Sequence, residues 1–201
     1  MYRWLVGGLV VVAVVVLTAM FVPSDFDQAS HTYAGPAEQV VGTALPDAIV
    51  PNIDGGSIEL SAYRGRPVLV NLWATWCGPC RREMPALERL SKEQAGGLVV
   101  VAIDQREDPG VVRSYVKRFG VTFPVGVDDG QRLGTDLHLI GLPSSFFVDR
   151  DGIIRDAVDG EMTYDVMTQK ARTLMAADAR KSSGKGFHRC PTRGPRCASS
   201  R

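Results

Sequence analysis

The stretch NLWATWCGPCRREMP, residues 71–85, decides how this chain is read. Cys77 and Cys80 stand either side of Gly78 and Pro79, with tryptophans before them and a charged helical pattern after them. Such a pair belongs to a metal site, a structural disulfide or a working redox couple. A zinc site needs about four ligands, commonly supplied as two pairs. The only other cysteines, Cys190 and Cys197, lie near the C-terminus at a different spacing, and no histidine falls near the first pair. A bridge across two intervening residues removes little entropy from the unfolded chain, so a structural disulfide is also a poor fit. Redox chemistry remains. It asks for a strand that ends abruptly, a nucleophilic thiol at the first turn of the following helix, and a second thiol one turn later.

The flanking residues meet that demand. VLVNLW, residues 68–73, is a nearly unbroken apolar run, the pattern of a strand buried on both faces. A helix is predicted from Pro79 to about Gln94, with Met84, Leu87 and Leu90 on its buried face, Gly96 and Gly97 as its stop, and a kink at Pro85. Cys77 then lies where unpaired N–H groups and the helix dipole stabilise a thiolate. Cys80, turned toward the core, attacks the mixed disulfide that Cys77 forms.

Further out, DAIVPNIDGGSIEL (residues 47–60) reads as a hairpin turning at Asp54-Gly55-Gly56. LVVVAID (98–104) is a second buried strand, and PGVVRSYVKRFG (109–120) a helix with a Pro start and a Gly end. A short helix near 131–137 precedes SSFFVDRDGIIRDAV (144–158), a hairpin turning at Asp151-Gly152. The last helix is expected from Tyr164 to Ala179. Strands alternating with helices make the fold class α/β.

Charge and hydropathy divide the chain more sharply than its net +1 implies. Residues 23–180 carry 16 basic and 22 acidic side chains, whereas residues 181–201 carry six basic ones and no acid. An acidic body argues against a nucleic-acid-binding core. Residues 4–22 are uncharged and mostly apolar, and at 1.5 Å per residue they reach about 28 Å, enough to cross a bilayer. We read residues 1–22 as an uncleaved membrane anchor, with a cleaved signal peptide as the competing reading. Arg3 on the short side and Asp25 and Asp27 beyond the run keep the N-terminus cytoplasmic and put the globular part outside the cell membrane. Residues 23–43 read as a tether, 44–180 as the folded domain, and 181–201 as a basic tail expected to be disordered.

The motif, its order and its spacing carry a resemblance. NLWATWCGPC resembles the active-site signature of thioredoxin-like proteins. With CRREMP after it and GLPSSFFVDRDG further on, the chain is similar to the membrane-anchored extracytoplasmic branch typified by TlpA, ResA and CcmG. The resemblance implies a thioredoxin-like fold: a central mixed sheet flanked by helices, with an N-terminal hairpin and a βα insertion. It also implies that Gly141-Leu142-Pro143 places a cis proline beside the cysteines, leaving neighbouring backbone groups free for an extended client. Trp76, Gly78, Pro79 and Leu142 are its implied client contacts.

Asn71 and Glu83 mark a departure from ordinary thioredoxin, which the resemblance implies would carry a buried acid in place of Asn71 to serve the resolving thiol. An amide cannot ionise. Glu83, one helical turn from Cys80, is the nearest replacement, and an acid of the branch's C-x-x-E-x-P pattern falls there. A solvated helix carboxylate is its plainer reading. Trp73 is expected in the core and Trp76 beside the thiol. His138 is expected to be exposed or satisfied, and His31 has no nameable partner. His188, Cys190 and Cys197 offer soft metal ligands in a segment without preorganisation, so a free or locally paired tail cysteine is the better reading.

The function implied is a thiol-disulfide oxidoreductase whose only redox group is the Cys77/Cys80 couple, with no separate cofactor and no metal. It reduces client protein disulfides, implied by the resemblance to be those of apocytochrome c or copper-site proteins, and is recharged by a transmembrane electron donor. Two other classes compete. Residues 98–160 also resemble peroxiredoxin-type thiol peroxidases, but Pro67 and Thr75 do not supply their spacing to Cys77. A metal-site (copper) assembly protein is opposed by the intact redox motif.

Overall fold

A computed structural model of the chain describes residues 36–184. The apolar run 1–22, His31, most of the expected tether, His188, Cys190 and Cys197 lie outside the described residues. Among the described residues no helix is long and apolar enough to cross a membrane.

The strands are β1 (Ile49–Pro51), β2 (Ser57–Glu59), β3 (Val68–Trp73), β4 (Val99–Asp104), β5 (Val125–Val127), β6 (Ser144–Val148) and β7 (Ile154–Asp159). The helices are α1 (Gly78–Glu93), α2 (Pro109–Phe119), α3 (Arg132–Asp136) and α4 (Tyr164–Gly184). β1 and β2 form the expected hairpin. The other five strands form one sheet in the order β5-β4-β3-β6-β7, parallel from β5 to β3 and antiparallel from β3 to β7. This is the expected thioredoxin-like α/β arrangement, and β5 with α3 is the extra βα unit before β6.

Side chains alternate across a strand, so a strand buried throughout must feed two cores. In β3, Leu69 and Trp73 join Met84, Leu87 and Leu90 of α1 and Met167, Ala171 and Leu174 of α4. Val68, Val70 and Leu72 face the other way, onto Leu60, Phe146, Leu133 and Leu137. Asn71 shares the alternation of Leu69 and Trp73, and so belongs to the face that carries α1. Asp108 caps α2 by accepting from the Gly110 amide at 2.8 Å, and Gly120 ends that helix at φ +68°, where a side chain would be strained.

Two boundaries differ from the sequence reading. Residues 36–43, read as tether, belong to the packed body: Pro36–Val40 form a 3-10 turn, Ala37 and Val40 are buried, and the Gly42 amide donates to the Ile154 carbonyl at 2.8 Å. Two small apolar residues in a polar stretch gave no period to detect. α4 runs on to Gly184, four residues into the expected tail, where Lys181 and Arg155 both meet the buried carboxylate of Asp149 at 2.6 Å. α1 has the expected extent, continuing through Pro85 to Glu93.

Candidate active site

β3 ends at Trp73, and four residues later Cys77 caps the N-terminus of α1 with extended backbone. Its Sγ accepts the amide N–H of Cys80 at 3.2 Å, so one of the orphan donors of the first helical turn is directed at sulfur. Pro79 follows inside the first turn, where a missing N–H costs nothing. Cys77 and Cys80 are joined as a disulfide with their Cα atoms 5.3 Å apart. Cys77 is 5% exposed and Cys80 1%, so in this oxidised form both members of the couple are shielded from solvent.

The buried stripe of α1 is Cys80, Glu83, Met84, Leu87 and Leu90. Glu83 therefore occupies a core position. It is 1% exposed, and neither carboxyl oxygen has a hydrogen-bond partner among the described residues. Burial raises its pKa from the ordinary 4.5 to about 7; the Met162 amide opposes this without reaching full hydrogen-bond geometry, and the Glu161 carboxylate adds to it. Arg82, the cation next in sequence, pairs instead with Glu161 at 2.6 Å. The solvated-carboxylate reading of Glu83 does not hold.

Asn71, 1% exposed, donates from Nδ2 to the Ser145 hydroxyl of β6 at 2.9 Å, while its Oδ1 has no partner among the described residues. It serves as a strand-to-strand tie that carries no charge. Trp73 is fully buried against Tyr115, with ring centroids 5.2 Å apart. Trp76 is 69% exposed immediately before Cys77.

The Leu142–Pro143 peptide is cis. Register places Leu72 opposite Ser144, so Pro143 stands level with the end of β3, at the edge from which the Cys77 loop departs. Ser144 donates through its hydroxyl to Asp159 at 2.7 Å. The Pro143 carbonyl already accepts the Gly160 amide at 2.7 Å, so this one backbone group is not free for a client as the resemblance implied. Pro143 is buried, Leu142 and Pro79 are half-buried, and Gly78 is exposed. His138 is exposed, with φ of 54°.

Sequence reasoning missed a carboxyl pair beside this loop. Glu107 accepts both the hydroxyl of Thr75, at 2.6 Å, and its amide. The Glu107 amide donates to Asp104 Oδ1 at 2.9 Å. Asp104 is fully buried at the end of β4; burial first, and then the Glu107 carboxyl group, raise its pKa from 3.8 to about 8. An acid closing a buried parallel strand beside the site was the available signal, since such strand ends are where α/β sheets place functional groups.

A Cys-x-x-Cys couple at a helix N-terminus, with a cis proline opening the strand that pairs with the one leading into that helix, defines the class: a thioredoxin-like thiol-disulfide oxidoreductase. Residues 41–157 match the AhpC/TSA family, and the chain belongs to that family, within its ResA-like branch. Thiol-disulfide oxidoreductase ResA of Bacillus thuringiensis subsp. konkukian is 34% identical over 135 residues, covering 67% of this chain and 78% of that protein. Thioredoxin-like protein YneN of Bacillus subtilis is 36% identical over 132 residues, covering 64% and 77%. Among solved structures, a thiol:disulfide interchange protein of the thioredoxin family from Chlorobium tepidum superposes with a TM-score of 0.62 at 25% identity, covering 67% of this chain and 97% of that one.

Proposed function

We propose that the chain is a reductase of client protein disulfides, tethered to a membrane with its folded part outside the cytoplasm. The observation that carries the reading is the Cys77–Cys80 couple at the start of α1 with the buried, unpaired Glu83 one turn beyond it. In the dithiol form the Cys77 thiolate attacks one sulfur of the client. The client disulfide breaks, its other sulfur leaves as a thiolate and takes a proton, and a Cys77–client disulfide remains. Cys80 then gives up its proton and attacks Cys77 Sγ, expelling the first client sulfur, which takes up a proton in turn; two electrons have passed to the client.

Glu83 is the proton acceptor for Cys80, because a carboxyl group that titrates near 7 can both take and return a proton at working pH. Trp76, and Ile140 just before the Gly141-Leu142-Pro143 turn, offer largely exposed apolar contact at the two sides of the site, with Gly78, Pro79 and Leu142 completing the client surface. The couple is the only redox group the chemistry needs, and a transmembrane donor must recharge it because extracytoplasmic surroundings are oxidising. The client cysteines are those of an apocytochrome c or a copper site, by the resemblance. The peroxidase reading has no comparable support, since Thr75 is held by Glu107 rather than placed to assist a peroxide at Cys77.

The test is turnover of insulin disulfides by the dithiothreitol-charged protein, alongside Cys77→Ser and Cys80→Ser. Wild type turns over, Cys77→Ser does not, and Cys80→Ser accumulates a Cys77–insulin mixed disulfide in mass spectra. Activity in Cys77→Ser, or a peroxide turnover that outruns insulin reduction, would overturn the reading.

A further inference from the structure

Thr75 stands two residues before Cys77, in the connection from β3 to α1. That connection is held from the neighbouring strand end at two points. The Gln105 amide donates to the Trp73 carbonyl at 2.9 Å, and the Glu107 carboxylate takes both polar groups of Thr75. The grip reaches the thiol through short links. The Cys77 amide donates to the Ala74 carbonyl at 3.2 Å, closing a turn around Thr75 and Trp76. Cys77 Sγ then receives the Cys80 amide. Behind Glu107, its own amide is fixed by Asp104 Oδ1, on a residue that register sets level with Trp73.

A half-buried turn can satisfy its polar groups with water, and a carboxylate bound to the residue two before a thiolate opposes the ionisation that Cys77 needs. A bidentate carboxylate here therefore works against Cys77 as a charge and for it as a clamp. We propose that Glu107 is a positioning residue for the nucleophile: by fixing Thr75 it holds the Ala74–Cys77 turn so that Cys77 Sγ faces the N-terminal amides of α1. The proposal rests on Cys77 being the attacking thiol, as argued above.

Thr75→Val separates clamp from charge, because it keeps the Thr75 amide bond and the Glu107 carboxylate and removes only the hydroxyl bond. Thr75→Ser restores that bond. The measurement is iodoacetamide trapping of the reduced full chain in detergent, from pH 5 to 10, with peptide mapping that reads Cys77 separately from the other cysteines and thermal melts alongside. Thr75→Val is expected to raise the Cys77 titration midpoint by about half a unit, equivalent to an about threefold smaller thiolate fraction below the midpoint, and Thr75→Ser to match wild type. Glu107→Ala is expected to lower the melting temperature and slow Cys77 trapping. A Thr75→Val profile identical to wild type, whatever the melts or Glu107→Ala show, overturns the proposal and leaves the clamp as fold support alone. Should wild-type trapping find Cys80 more reactive than Cys77, the reading of the function fails instead.

Discussion

Cys80 and Glu83 lie one helical turn apart on α1, each 1% exposed, and the carboxyl group has no hydrogen-bond partner among the described residues. A buried carboxylate without a cation is held as the neutral acid over much of the neutral range. Its pKa of about 7 is that of a group able to trade a proton with a thiol. The same isolation that costs stability underlies the role proposed for it beside Cys80.

Glu83→Gln keeps shape and burial and removes the titration. We expect the resolving step to slow by about ten- to a hundredfold, within the usual reach of a general acid or base, and the step in the pH–rate profile near 7 to vanish. Asn71→Asp, on the sheet face that carries α1, should return part of the lost rate to the Glu83→Gln protein. Stopped-flow reduction of a small disulfide across pH 5–9 reads both, and superimposable profiles for wild type and Glu83→Gln would return Glu83 to a packing role.

The raised pKa also sets how stability varies with pH. The folded state keeps the Glu83 proton up to about 7, whereas the unfolded chain releases it near 4.5. Stability from this group is complete below about pH 4.5 and is lost as pH rises through 7, by up to about 3 kcal/mol. Asp104 acts in the same direction, so a slope persists in Glu83→Gln but is shallower. Denaturation midpoints of both oxidised proteins at pH 5 and 8 check this. Glu83→Gln should gain on wild type at pH 8, and an equal change with pH in the two would contradict the assignment.

A chain beginning at residue 44 removes Val40 from the core and the pairing of Gly42 and Thr43 with Ile154. We expect it to be less stable than one beginning at residue 36 by roughly 2–4 kcal/mol, combining one buried valine with two backbone bonds, while keeping its reductase activity. Urea midpoints compare the two, and coincident curves would show that residues 36–43 contribute nothing to the fold.

The parts read correctly from sequence were those with a strong local period or a fixed chemical spacing. β3 was legible because six successive buried positions leave no polar alternation, and α1 because Met84, Leu87 and Leu90 repeat at helical spacing. The cysteine couple followed from its place between them. Glu107 was not legible, because its bonds to Thr75 join residues 32 apart and depend on the β3–β4 register. The shielding of Cys77 was hidden for a similar reason: exposure at a helix start depends on what the rest of the fold brings to it, which local sequence does not carry.

The reducing direction of the couple is the central claim, and its equilibrium potential tests it most directly. The full chain, equilibrated with glutathione buffers of graded ratio and trapped with a thiol reagent, gives the fraction of the Cys77–Cys80 disulfide at each ratio. With Gly-Pro between the cysteines the account predicts a potential near that of thioredoxin, about −270 mV, with the disulfide persisting until reduced glutathione is in large excess. A value near about −120 mV, typical of a strong oxidant, would contradict it.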